Sequence, residues 1–360
     1  MILTFLALVF GLHIVMVNLG IGLSGTVPFL KRKAEIEGNE EIMRIARKSM
    51  KFYAATYALA GVFGTAFTVF LLSFYPSFIG LAGNIALVPF ALSVCMIVLH
   101  FLSLTLYWYG WDKFNSERHF IVGLVMFISA LLIPLGFRAI FGFLNVPIGL
   151  ELTPKVHIDT LKALTNPTFL VLYPKSITAS FALTFVILAT AFRKSEYSKS
   201  FAKLGLAFLI LTSILGIAYA ETLESYANYK FTNVFGVFYG VKPENDVSYV
   251  FIIKMVFLAI QFIALMALLR GKDKLMPLAG FSALATVYLG EMLNAFSQYP
   301  LFIANTSVIP KEIANALADV INMAKPNPIA TMESLYAVTL AFLIPLIASA
   351  CVLIYLIVRD

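Results

Sequence analysis

The stretch that decides the fold is LHIVMVNLGIGLSGTVPFLKRK at residues 12–33. Its apolar part belongs to a run over residues 2–30, which is longer than the roughly 20 apolar residues that a helix needs to cross a bilayer. The basic cluster Lys31-Arg32-Lys33 follows directly, as expected at the cytoplasmic end of a span. No basic residue precedes the run, so the pattern favours a retained first span over a cleaved signal peptide.

Eight further segments of the 360-residue chain share this length and apolar character. The composition agrees, because 61% of the residues are apolar and only 12% are charged, whereas a water-soluble domain has about 25% charged residues. The sequence therefore predicts an all-α integral membrane protein and disfavours a secreted, disordered or nucleic-acid-binding protein. The nine predicted transmembrane helices lie near residues 2–30, 51–74, 84–110, 119–145, 168–192, 201–220, 247–269, 275–299 and 333–358.

The distribution of Lys and Arg predicts the orientation of these spans. Seventeen of the 26 basic residues fall in the odd-numbered connections or at the C-terminus, and seven fall in the even-numbered connections or at the outer end of the fifth span. Because cytoplasmic loops retain positive charge, we expect the N-terminus outside and the C-terminus in the cytoplasm. The net charge of +7 thus reflects membrane topology rather than a polyanion partner.

The connections between the spans predict one membrane domain over residues 1–360. No repeat of fixed period and no shift in composition divides the chain. Three outer connections are long, at 146–167, 221–246 and 300–332, and they carry Pro, Asn and acidic residues. Such residues are typical of ordered surface loops rather than low-complexity linkers.

Six His, Lys, Arg or Glu residues lie well inside predicted spans, away from their ends, where each costs roughly 2.5–3.5 kcal/mol at mid-helix and therefore needs a reason to be present. His13 lies among Gly11, Gly20 and Gly22, and small residues allow a macrocycle or a second helix to approach the backbone closely. His13 is equally consistent with a haem ligand and with a buried histidine bonded to a carbonyl group. The six residues are His13, His100, Arg138, Lys175, Lys254 and Glu291.

Glu291 is expected in the outer half of the membrane together with His13. A carboxylate at this depth must pair with a cation, bind a metal or stay protonated, so the two residues are predicted to bracket one site or two adjacent sites. Lys175 and Met255 lie at similar outer depths, although methionine is more often core filler and a lysine near a helix end usually extends to the interface. The sequence contains no phosphate-binding Gly-Lys loop, CxxC, HExxH or nucleophile elbow. It therefore shows no motif for hydrolysis or for ATP-driven pumping.

At these residues the sequence resembles subunit I of the cytochrome bd quinol oxidases, a family of nine-span haem proteins that reduce oxygen with electrons from quinol. The first span resembles the family helix whose histidine ligates an active-site haem, which implies that His13 ligates haem iron. Gly290-Glu291 falls where the family has a glutamate ligand of haem iron. Ile253-Lys254-Met255 resembles the segment that carries the methionine ligand of the low-spin haem. The segment Gly110-Trp111-Asp112-Lys113, followed by His119, matches a family stretch and is expected to stabilise the inner end.

The sequence departs from the family at the low-spin haem and at the proton path. Lys175 aligns with the histidine ligand of the low-spin haem. A lysine binds iron only as the neutral amine, so this haem is expected to be absent. Leu92 and His100 stand in place of two carboxylates of a proton path, and of the two only His100 can relay a proton.

The connection 221–246 resembles a shortened quinol-binding loop. Lys230 matches a family lysine, but Phe235 stands where the family has the following glutamate. After Glu291, the run Asn294-Ala295-Phe296-Ser297 replaces the family's arginine-glutamine-proline-tryptophan run. The sequence therefore disfavours quinol binding by this chain.

These matches and losses predict a divergent paralogue of subunit I within a bd-type quinol:oxygen oxidoreductase of the cell membrane. The expected partner is a complete subunit-I chain that oxidises quinol from the membrane pool. This chain is expected to keep at most part of the haem set, of b or d type. His100 is expected to assist proton uptake. Two alternatives stay open. One is an autonomous quinol oxidase subunit I in which Lys175 and Met255 ligate haem in an unusual way. The other is a haem-free scaffold or transporter-like subunit.

Overall fold

The computed structural model describes residues 2–74, 86–151 and 157–298, together with the two positions 344 and 348. Over these residues the chain folds into eight helices that are long and apolar enough to cross a membrane. They are α1 (Ile2–Glu37), α2 (Glu40–Phe74), α3 (Leu87–Tyr109), α4 (Ser116–Asn145), α6 (Pro167–Ala191), α7 (Ser198–Tyr226), α9 (Ser248–Leu269) and α10 (Met276–Phe296), with the short helices α5 (Thr160–Leu164) and α8 (Asn228–Phe235) between them.

The first eight predicted spans are confirmed as helices. The ninth predicted span at 333–358 and the connection at 300–332 lie outside the described residues, and the orientation of the termini stays a prediction. Large apolar side chains such as Leu99, Phe101 and Leu102 of α3 are exposed on the outside of the bundle. Extensive exposed apolar surface of this kind requires lipid as the solvent. The chain is therefore an all-α, multi-pass membrane protein.

Helix α1 lies at the centre of the described bundle. Successive long helices pack in pairs, α1 with α2, α3 with α4, α6 with α7 and α9 with α10, and α1 also packs against α4, α6 and α10. Glycine makes the close approach of α1 and α6 possible, because a Cβ atom at Gly22 would lie 2.1 Å from Oγ1 of Thr184. This packing places His13, which lies on α1, inside the bundle.

The connection between α1 and α2 is shorter than the sequence indicated. The apolar runs at 2–30 and 51–74 leave residues 31–50 between them, but α1 continues to Glu37 and α2 begins at Glu40. Gly38 makes the turn with a φ of 60°, a conformation that glycine adopts without steric cost. Lys31 and Glu35 form an ion pair of 2.5 Å one helical turn apart, which supports the extension of α1 beyond its apolar run.

The α3–α4 connection is tied to the α1–α2 end of the bundle through Trp111 and its neighbours. The side chains of Lys31 and Arg47 lie over the Trp111 ring, 5.3 Å and 5.6 Å from its centroid. Arg47 also pairs with Asp112 at 2.6 Å. His119 donates from Nε2 to the carbonyl oxygen of Tyr107 at 2.8 Å, since a carbonyl oxygen can only accept.

The opposite end of the bundle carries the longer connections. Leu150–Glu151 (β1) pairs antiparallel with His157–Ile158 (β2), and α5 follows directly. The connection predicted at 221–246 is largely helical, because α7 extends to Tyr226 and is followed by α8 and a short 3-10 helix at Gly236–Tyr239. Lys230 is therefore positioned by a helix rather than by a free loop.

Candidate functional site

His13 is held between α1 and α2, and one of its ring nitrogens has no hydrogen-bond partner in the described part of the chain. Its Nδ1 lies 2.8 Å from the carbonyl oxygen of Ala60 and must donate, which leaves the lone pair on Nε2. None of the described residues bonds to Nε2. The ring fits because residue 64 is glycine, since a Cβ atom there would lie 2.8 Å from Cε1 of His13. The site thus presents a neutral imidazole with an available lone pair, as iron requires.

His100 lies in a closed polar network in the core. Its Nδ1 donates to the carbonyl oxygen of Met126 at 2.9 Å, so its Nε2 accepts from the hydroxyl of Tyr53 at 2.5 Å. The hydroxyl of Ser129 lies 3.1 Å from Nδ1, and the His100 side chain is 2% exposed. The Tyr53 hydroxyl and the imidazole are thus arranged as donor and acceptor along one line of hydrogen bonds. A role of His100 in proton transfer stays a prediction.

Glu291 pairs with Arg138 inside the bundle. Both carboxylate oxygens accept hydrogen bonds from the guanidinium group, and the Oε2 contact measures 3.1 Å. The side chains are only 6% and 13% exposed, which makes this a buried, bidentate ion pair between α4 and α10. Both residues are among the six ionisable residues inside predicted spans, but no sequence pattern pairs them. Ligation of iron by Glu291 stays a prediction, and it is disfavoured because both oxygens already have a protein partner.

Lys175 and Met255 do not form a ligand pair in this structure. The Nζ of Lys175 lies over the ring of Tyr219, 4.9 Å from its centroid. Met255 is 41% exposed at the surface of α9. The preceding residue, Lys254, points inward instead, and its Nζ lies 3.6 Å from the position of a Cβ atom at Gly290. Ligation by Lys175 and Met255 stays a prediction that this geometry disfavours.

Lys230 is buried in an amide network rather than exposed in a quinol loop. Its Nζ donates to Oδ1 of Asn145 at 3.0 Å and to Oδ1 of Asn294 at 2.6 Å. Gln298 also donates to Oδ1 of Asn145, at 2.9 Å. The Lys230 side chain is 1% exposed, and burial, together with the nearby charge of Lys175, lowers its pKa well below the usual value for lysine. The sequence contains only a weak signal for this network, because Asn145 and Asn294 lie near the outer ends of two predicted spans without any pattern that links them to Lys230.

The fold and these residues define a multi-pass helical membrane protein in which ionisable side chains meet inside the bundle. A family model described as cytochrome bd terminal oxidase subunit I matches residues 4–233. Because the match spans more than half of the sequence, the chain belongs to the cytochrome bd terminal oxidase subunit I family, as the sequence resemblance predicted. Members of this family are haem-binding oxidoreductase subunits of respiratory electron transport.

The fold is similar to that of a solved bd oxidase from Geobacillus thermodenitrificans, with a TM-score of 0.81. The sequences are 16% identical, and the similarity covers 99% of this chain and 97% of the other chain. At this identity the comparison shows a shared fold. The comparison with curated proteins gave no match.

Proposed function

We propose that this chain is a divergent subunit-I-like component of a bd-type quinol:oxygen oxidoreductase in the plasma membrane. In this proposal a complete subunit I oxidises quinol and reduces oxygen, and the present chain holds a haem at His13 within the same assembly. Family membership supports the oxidoreductase assignment. The side-chain geometry supports the division of roles between the two chains.

The observation that carries the proposal is the imidazole of His13. Metal-binding histidines commonly donate the second ring N–H to a carbonyl group, which fixes the tautomer and the orientation of the ring. His13 makes this contact with Ala60 and leaves Nε2 without a partner among the described residues, so the residues present fit a haem group. When bound, the haem supplies an iron centre that carries electrons or binds oxygen.

The positions that the family uses for the low-spin haem and for quinol support an incomplete set of functions in this chain. Lys175 offers an ammonium group over an aromatic ring instead of an imidazole. Met255 is exposed at the surface of α9. The Nζ of Lys230 donates hydrogen bonds to the side chains of two buried asparagines, so it is not available to a quinol from outside the bundle. These functions therefore fall to the partner chain.

The test is the haem content of the isolated full chain, measured as the pyridine haemochrome. We expect haem in the wild-type chain, loss of that haem in His13→Ala, and unchanged haem in His157→Ala. His157 is a matched control because its imidazole lies on the surface hairpin, with the side chain 43% exposed. A wild-type chain without haem would favour the haem-free scaffold, and equal haem in both variants would remove His13 as the ligand.

A further inference from the structure

We propose that a cavity at the end of the bundle near the α1–α2 turn binds an anionic phospholipid. One acyl chain lies inside the cavity, and the phosphate group lies at Lys33. The cavity has a volume of about 360 Å³ and is lined by residues of α1, α2, α4, α6 and α7. This inference is independent of the haem at His13, because the residues that line the cavity differ from those that hold the His13 ring.

Aromatic rings from three helices line the cavity. Phe127 of α4 meets Phe181 of α6 edge to face, with the ring centroids 6.0 Å apart. Phe181 stacks on Phe185 at 6.2 Å, and Phe201 of α7 stacks on Phe185 at 6.5 Å. Helix α1 packs closely on these rings at Gly25, where a Cβ atom would lie 2.9 Å from Cε2 of Phe127. The cavity therefore has a preformed apolar wall, as small-ligand sites commonly do.

The cavity opens on the outside of the bundle and reaches a cationic group. Phe29 and Leu204, which both line it, are exposed, so a lipid chain can enter from the side. The lining residues of α1 run from Gly25 to Lys33, which is a rise of about 12 Å along the helix axis. The Nζ of Lys33 lies 5.9 Å from the centroid of the Tyr197 ring, which also lines the cavity. A chain that lies along α1 thus brings its headgroup to Lys33.

The charges at the mouth of the cavity favour an anionic headgroup. Lys33 lies 3.8 Å from Glu37 in a half-exposed pair, and exposed pairs of this kind are weak. Lys199 and Lys203 are exposed in the first turns of α7, on either side of the lining residue Ser200. Over residues 193–203 the chain carries four basic residues and one acidic residue. Basic pockets between transmembrane helices are typical sites for the headgroups of anionic lipids.

A phospholipid fits both parts of the cavity at once. Small-ligand sites have volumes of about 300–1,000 Å³, are mostly apolar and carry a few polar groups that orient the ligand. The acyl chain is apolar and matches the aromatic wall, and the phosphate accepts hydrogen bonds from the ammonium group of Lys33. A neutral lipid matches the wall alone, and a free phosphate matches the mouth alone.

The test uses the full chain in detergent, stripped of bound lipid and titrated with phosphatidylglycerol or with phosphatidylcholine of the same acyl chains. Phosphatidylglycerol is expected to raise the Tm at lower concentration than phosphatidylcholine does, because a ligand that binds the folded state stabilises it. Native mass spectrometry of an equal mixture should show phosphatidylglycerol retained over phosphatidylcholine. Glycerol 3-phosphate, which has no acyl chain, should leave the Tm unchanged.

Variants at the mouth separate the charge from the cavity. Lys33→Met should weaken the apparent affinity for phosphatidylglycerol about fivefold, the effect of one basic residue near an anionic lipid headgroup. Lys33→Arg should keep the affinity, and Glu37→Gln should strengthen it because the competing carboxylate is lost. Ser200→Trp places a large ring at the mouth and should weaken the binding of both lipids. Lys272→Met is the matched control, since Lys272 is exposed on the α9–α10 connection and does not line the cavity.

Two results would overturn the proposal. The first is that phosphatidylglycerol and phosphatidylcholine act alike on the wild-type chain, which is also the result expected if a neutral lipid occupies the cavity. The second is that Lys33→Met and Lys272→Met lose the same affinity for phosphatidylglycerol, because the headgroup would then sense only the net charge of the chain.

Discussion

Replacement of Glu291 by glutamine tests the buried ion pair with Arg138. The substitution keeps the shape of the side chain and removes its charge, so the guanidinium group remains charged, 6% exposed and without a counter-ion among the residues that the structure describes. Removing one partner of a buried pair costs about 3–5 kcal/mol. We therefore expect Glu291→Gln to lower the free energy of unfolding by about that amount. The measurement is reversible unfolding of the full chain in mixed micelles, followed by circular dichroism.

The control is Asp112→Asn, which makes the same chemical change in an exposed pair. The side chains of that pair, Arg47 and Asp112, are 52% and 73% exposed, and exposed pairs contribute little to stability. The double variant Arg138→Leu/Glu291→Leu should lose less stability than Glu291→Gln, because neither charge is left unpaired. A loss in Glu291→Gln no larger than that in Asp112→Asn would refute the reasoning.

Three further predictions concern His13, Lys230 and His100. Gly64→Ala should lower the haem content, because its Cβ atom would lie 2.8 Å from Cε1 of His13. Gly61→Ala is the control and should keep the haem, because no atom lies within 4 Å of a Cβ atom there. Equal haem in the two variants would contradict the packing argument. Burial lowers the pKa of Lys230, so between that lowered pKa and about 10.4 the unfolded chain binds more protons than the folded chain does. The free energy of unfolding should therefore rise with pH across this window. The rise should be smaller in Lys230→Met. Unfolding curves at several pH values check this, and parallel profiles would contradict it. His100→Leu should reduce proton uptake by the assembled complex and leave bound haem unchanged, and unaltered uptake would exclude His100 from the path.

The helices were predictable from the sequence because lipid imposes a simple requirement. A span needs a long apolar run, and the eight described helices match eight such runs to within a few residues at most ends. The apolar runs do not mark every helix end, as the charged residues between the first two runs show, because α1 continues to Glu37 and α2 begins at Glu40. Charges end an apolar run without ending a helix, and here ion pairs such as Lys31–Glu35 extend α1 to the turn at Gly38.

The partners of the site residues were harder to predict, because they depend on packing between distant segments. Arg138 and Glu291 are 153 residues apart, and only the approach of α4 and α10 brings them together. Lys254 and Met255 are neighbours in the sequence, but one position along a helix turns a side chain by about 100°, so Met255 is exposed while Lys254 is half-buried. The burial of Lys230 depends on asparagines from two other helices, which a linear pattern does not reveal.

The most direct test of the proposed division of roles is the reduced-minus-oxidised absorption spectrum of the isolated full chain, compared between wild type and Lys175→Ala. We predict a haem signal without a low-spin haem b band, and no change in that signal on replacement of Lys175. A low-spin band in the wild-type chain that disappears in Lys175→Ala would contradict the account, because it would make this chain an autonomous subunit I with an unusual lysine ligand.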